Sequence, residues 1–325
     1  MNSGRARGPR APIVLVGALA LAALVIAGCA PVSEPGASAG AIAAVTGAVV
    51  TNELVVDGLE RSYLLRSPVR AVADDPLPLL ILIHGAGGNA KKAEDATGMT
   101  ALSDAEGFIV AYPNGTQAAD IPGEFSWNAG ACCGRPVTDD IDDVKFIESM
   151  IADITTQQPV DPSRIYVAGF SNGGMLAYRL ACELPGTLAG IAVVAGALNY
   201  DDCDAAAATP VLMIHGTGDK TVPYAGGATN ERTAKRFGQW TNASLADSIS
   251  FWIGRDGCID APLRIVDGGV TRESFSGCGS EATVEVVTIA DGGHIWPVTA
   301  DSGFDASDLI TEYFGLGQPE VALAK

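Results

Sequence analysis

Five consecutive apolar residues, Leu79 to Ile83, run directly into His84-Gly85. A strand with one wet face alternates apolar and polar residues. One that is apolar throughout must be covered on both faces, as in a parallel sheet between helices. The segments Phe108–Tyr112, Ile165–Ala168, Ile191–Val194, Val211–His215 and Val284–Ile289 continue the strand signal. Between and after them, residues 93–105, 142–157, 173–184 and 305–314 carry helical character, with Val144, Ile147 and Ile151 along one face of the second. Strand then helix with short connections predicts an α/β domain, a doubly wound and mostly parallel sheet with helices on both faces, over residues 49–318. The stretch VVTNELVVDGLERSYLLRSP alternates around Asp57-Gly58 and predicts an antiparallel hairpin ahead of it. A chain of 325 residues, 48% apolar, can bury the core this requires. No internal repeat or second linker interrupts it.

The first residues read differently. Arg5, Arg7 and Arg10 precede an apolar run to Ala27, and Ile26-Ala27-Gly28-Cys29 resembles a bacterial lipobox. The run is short for a membrane-spanning helix, which needs about 20 apolar residues. The expectation is a signal peptide over 1–28, lipidation at Cys29, a small-residue tether over 29–48, and a protein held outside the cytoplasmic membrane by its lipid alone. Loss of 1–28 removes three arginines and no acid, moving the formal charge from −18 to −21. Such a surface excludes nucleic acid and anionic headgroups as partners.

Six further cysteines in an exported chain imply disulfides, with 15 possible pairings. Cys258–Cys278, Cys182–Cys203 and, by elimination, a vicinal Cys132–Cys133 bridge are the expected set. No CxxC pair and only three histidines point to no metal and no cofactor.

Chemistry enters with VAGFSNGGM. Arg164 to Ala168 precede it as a short β-branched run and MLAYRLACEL follows as a helix, the context of a nucleophile elbow at Ser171. A serine needs a base, and of His84, His215 and His294 only the last follows the final strand, in DGGHIWP. The acid belongs between them. Asp219 directly follows an apolar strand, with Asp291 its main rival. The Asn172 amide and one from His84-Gly85-Ala86-Gly87-Gly88, at Ala86 or Gly87, are the expected oxyanion donors. Trp296 is a candidate cleft wall, Trp127 a cleft wall or a core residue, Trp240 and Trp252 read as core, and residues 226–279 are the expected source of substrate-specific walls.

The pieces ERSYLLRSP, LIHGAGGNA, YPNGT, WNAGACCG, IDDVKFI, GFSNGGMLAYRLACELP, HGTGDKTVPY and GGHIWP span roughly residues 50–300 in order. As a set they resemble the secreted esterases grouped with polyhydroxybutyrate depolymerases and feruloyl or acetylxylan esterases. The resemblance implies an α/β-hydrolase fold, hydrolysis of carboxylic esters on small molecules, polyesters or polysaccharides, and a Ser171–Asp219–His294 triad. An acyltransferase, a peptidase, or an idle binding lipoprotein on the same scaffold are the competing expectations.

Overall fold

The structure, a computed structural model, describes residues 47–68, 76–118, 121–203, 207–299 and 303–317. The expected signal peptide, Cys29 and the tether up to residue 46 lie outside the described residues, as does residue 318 at the expected domain end. Among the described residues no helix is long and apolar enough to cross a membrane.

Ten strands form one sheet: β1 (Val49–Val56), β2 (Leu59–Arg66), β3 (Leu77–Ile83), β4 (Ile109–Pro113), β5 (Val160–Phe170), β6 (Gly190–Val194), β7 (Val211–Gly216), β8 (Leu263–Asp267), β9 (Val270–Phe275) and β10 (Val284–Ile289). Their spatial order is β1-β2-β4-β3-β5-β6-β7-β10-β9-β8. The six from β4 to β10 run parallel, and antiparallel hairpins extend the sheet at both edges. Asp57 and Gly58, both at positive φ, make the two-residue turn of the first hairpin.

The apolar run of β3 is explained by its two neighbours. Leu79, Ile81 and Ile83 pack beneath α3 (Asp143–Gln157), α4 (Asn172–Glu183) and α6 (Leu245–Asp256). Leu80 and Leu82 pack on the other face beneath α1 (Ala90–Thr97), α2 (Met99–Glu106) and α7 (Ala306–Tyr313). Both faces are dry, so no polar residue interrupts the strand.

Two expectations are corrected. The helix over 93–105 is two, because Gly98 sits at φ 64° and ends α1 before α2 begins. Residues 226–279 hold more regular structure than expected: the short α5 (Glu231–Phe237), α6, and the β8–β9 hairpin. The sulfurs pair as Cys132–Cys133, Cys182–Cys203 and Cys258–Cys278.

Candidate active site

β5 ends at Phe170 and the chain reverses within one residue. Ser171 holds φ 55° and ψ −121°, a region that costs a residue bearing a Cβ on the order of 1–3 kcal/mol. Its surroundings impose that conformation. The Ser171 N–H donates to Val194 O at 2.8 Å, and Ser171 O accepts from Met175 N–H at 2.9 Å. The two glycines of GxSxG have separate steric reasons. A Cβ on Gly169 would lie 2.2 Å from Gly173 O, and one on Gly173 would lie 2.4 Å from Ile83 O. Only glycines let β3, β5 and α4 meet this closely, so the serine hydroxyl stands at the carboxyl edge of the sheet beside a helix N-terminus.

His294 arrives on the loop after β10, Asp219 on the loop after β7. These strands pair in parallel, and their loops are clamped together. Gly218 N–H donates to Gly292 O at 2.9 Å, and Asp291 N–H to Thr217 Oγ1 at 2.8 Å. The result is a continuous relay. His294 Nδ1 lies 2.7 Å from Asp219 Oδ2, and His294 Nε2 lies 2.9 Å from Ser171 Oγ. The rival acid, Asp291, is exposed in a turn at φ 57°.

Asp219 has a fully buried side chain. Oδ1 accepts from Thr221 N–H at 2.7 Å and Val222 N–H at 2.9 Å. Oδ2 meets His294 and stands 3.4 Å from His215 Nε2, which also lies 2.9 Å from Val222 O. Burial alone would raise this carboxyl's pKa. Hydrogen bonds from His215 and His294, the His294 charge and the Val222 amide outweigh it, and hold the group well below the usual carboxylate range. His215 is a partner that the sequence reading set aside. Its signal was the four-residue spacing from Asp219 across one turn.

The oxyanion donors divide. Asn172 begins α4, so its N–H has no acceptor in its own helix. Ala86 N–H makes no hydrogen bond among the described residues, and Ala86 lines a cavity with Ser171. Gly87 is corrected: its N–H donates to Phe125 O at 2.8 Å and is not available. His84 shapes this loop. Gly115 N–H donates to His84 Nε2 at 3.1 Å, so Nδ1 bears the proton and donates to Gly85 O at 2.8 Å. Burial pushes the His84 pKa down to about 4, keeping the ring neutral.

The chain matches a model of the phospholipase/carboxylesterase family over residues 66–248. It is 32% identical over 258 residues to "Putative esterase NocK" of Nocardia uniformis subsp. tsuyamanensis, covering 75% of this chain and 73% of that one. The chain belongs to the phospholipase/carboxylesterase family. It is 33% identical over 241 residues to feruloyl esterase B of Piromyces equi, covering 72% of this chain and 42% of that protein. An acetyl xylan esterase structure from Aspergillus awamori superposes with a TM-score of 0.60 at 15% identity, covering 82% of this chain and all of the other. The fold is that of the α/β hydrolases, and the protein is a serine ester hydrolase.

Within this carboxylesterase the cleft reading of Trp127 is corrected, and the core reading of Trp240 holds. Trp127 is a core residue: fully buried, stacked on Phe146, with Nε1–H donating to His84 O at 2.8 Å. An indole N–H in the interior needs an acceptor, and the oxyanion loop supplies it. Trp240 is buried in the core as expected, and one side of it lines a cavity of about 170 Å³ over Ser171. Trp296 lines a second cavity of about 520 Å³, with His84, Phe170 and His294. The Asn172 side chain was a further omission. It is buried, accepts from Trp127 N–H at 2.8 Å and donates to Trp127 O and Cys132 O, holding the loop with the vicinal disulfide against the elbow.

Proposed function

We propose that this protein is an exported, lipid-anchored serine esterase that hydrolyses carboxylic esters through an acyl-enzyme. The unbroken line of hydrogen bonds from Asp219 through His294 to Ser171 Oγ carries the reading. His294 Nε2 takes the serine proton as Oγ attacks the ester carbonyl, and Asp219 stabilises the imidazolium. The Asn172 and Ala86 amides receive the oxyanion. His294 then protonates the departing alcohol, and a water activated by the same imidazole releases the acid.

Relatives named feruloyl esterase B and a bifunctional acetylxylan esterase/xylanase favour esters carried on polysaccharide. The basic head, apolar run and Cys29 favour cleavage before Cys29 and acylation there, with residues 29–48 as tether and the catalytic domain outside the cytoplasmic membrane. Mass spectrometry of the membrane fraction tests the anchor, and an unmodified Cys29 thiol would count against it.

The catalytic reading is tested with p-nitrophenyl acetate and butyrate, methyl ferulate, acetylated xylan and hydroxybutyrate oligomers, beside Ser171→Ala. The substitution is expected to lower kcat/KM by several orders of magnitude on every ester cleaved. Equal rates for both proteins would reject Ser171 as nucleophile.

A further inference from the structure

Two cavities flank His294, and Gly85, Ala86, Phe170 and His294 form the wall they share. Only the smaller, of about 170 Å³, is lined by Ser171. An acyl group esterified to Oγ must lie where Oγ is exposed, while the leaving alcohol must pass the imidazole that protonates it. We propose that the smaller cavity is the acyl subsite, that it admits uncharged acyl groups of about six carbons or a single ring, and that Trp240 and Phe237 set that limit. This inference rests on the serine-esterase reading above.

Its chemistry is apolar. Apart from the elbow and oxyanion residues, Cys132, Cys133, Met175, Val222, Phe237 and Trp240 supply most of the surface. Beside Ser171 and His294, Thr221 and Thr233 are its polar members, and no Asp, Glu, Lys or Arg is among the described residues that line it. A charged acyl terminus would lose its hydration there without a partner. The volume decides the length, since a cavity of about 150 Å³ lined by aliphatic and aromatic side chains takes up benzene. On that scale a chain of eight or more carbons would overrun it.

The limit holds only if the walls cannot swing aside, and they are tied down. Trp240 Nε1–H donates to Asn242 Oδ1 at 2.8 Å, and its backbone N–H to Thr229 Oγ1 at 3.2 Å. Phe237 O accepts from Gly134 N–H at 2.7 Å, and the neighbouring Arg236 pairs with Glu124. The disulfide floor is fastened through Cys132 O to Asn172 and through Cys133 O to Ser126 Oγ at 3.0 Å. Walls held this way, Trp240 through its side chain and Phe237 through its backbone, confine a ligand by shape, without a specific polar contact.

The test is kcat/KM on p-nitrophenyl acetate, butyrate, octanoate and dodecanoate for the wild type, Trp240→Ala and Trp296→Ala. The wild type is expected to lose at least 100-fold from butyrate to octanoate. Trp240→Ala is expected to narrow that ratio tenfold or more, and Trp296→Ala, in the other cavity, to leave the ratio in place. Phe237→Leu trims the same wall and should narrow the ratio too, which keeps the test open where Trp240→Ala loses the fold. A wild type that turns over octanoate as well as butyrate, or a ratio that moves with Trp296 and not with Trp240 or Phe237, overturns the subsite. Absence of turnover on every ester would instead overturn the esterase reading beneath it.

Discussion

The carboxyl ends of β7 and of α6 each bury an aspartate, and they treat it in opposite ways. Asp219 is 5% exposed and Asp256 3%. Asp219 accepts two backbone amides and an imidazole, and its carboxyl is held well below the usual range. At Asp256 neither oxygen makes a well-formed hydrogen bond among the described residues. Burial pushes its pKa up to about 6, although the Arg255 charge and the Thr209 amide favour the anion. At equal depth, hydrogen bonds decide which way the group moves. The charge at Asp219 is prepared in advance for the imidazolium of the transition state. The charge at Asp256 is not offset in full by Arg255 and Thr209, and it costs stability.

The largest test of that contrast is catalytic. Asp219→Asn should lower kcat about 10⁴-fold, because the amide no longer holds the imidazole in the required tautomer. Asp256→Asn, remote from the triad, should leave kcat within about twofold. Steady-state kinetics on p-nitrophenyl butyrate compares the two, and matching losses would erase the distinction. Asp143 supplies an intermediate case: buried and raised by burial, yet bonded to Arg61 Nη2 at 2.7 Å and Asn128 N–H at 2.7 Å. Asp143→Ala strands the buried Arg61 guanidinium and should cost about 3–5 kcal/mol in urea unfolding. A cost near zero would mean that the pair is not holding the chain there.

The same contrast explains which parts of the molecule could be read in advance. Ser171 was legible because strand, glycines and helix are contiguous, and each glycine has a local steric cause. Asp219 and His294 were legible because each follows a strand of the parallel sheet, where chain order constrains position. What failed depends on who sits opposite. The Gly87 amide is taken by Phe125, in a short strand far along the chain. Trp127 was placed on the cleft, but packing buries it on Phe146 with its indole N–H on His84 O. The β8–β9 hairpin was missed because all five residues of β8 are exposed, so no buried face printed a pattern on the sequence.

Stability against pH sharpens the comparison at a smaller scale. The folded Asp256 pKa is raised from 3.8 to about 6, so the native state binds that proton more tightly than the unfolded chain. Below about pH 4 both states are protonated and nothing is lost. Stability then falls as pH rises to about 6, by about 3 kcal/mol, and stays lower above it. Asp256→Asn should recover about that amount at pH 8 and nothing at pH 4. Urea titrations at both values check this, and a gain independent of pH would place its cause elsewhere.

The smallest expected effect concerns how Asp219 keeps its charge. His215 Nε2–H reaches Val222 O at 2.9 Å and Asp219 Oδ2 at 3.4 Å, with its ring edge-on to Tyr224. His215→Phe keeps an aromatic ring against Tyr224 but removes the N–H. One of the hydrogen bonds lowering the Asp219 pKa is lost, so that pKa rises while the group stays ionised through the working range. At pH 8, where the carboxylate remains ionised, kcat should fall only about tenfold, the worth of about 1.4 kcal/mol of weakened positioning. KM should stay in place, because His215 lines neither cavity beside His294. If kcat matches the wild type, the amides of Thr221 and Val222 with His294 suffice, and the second histidine is packing alone.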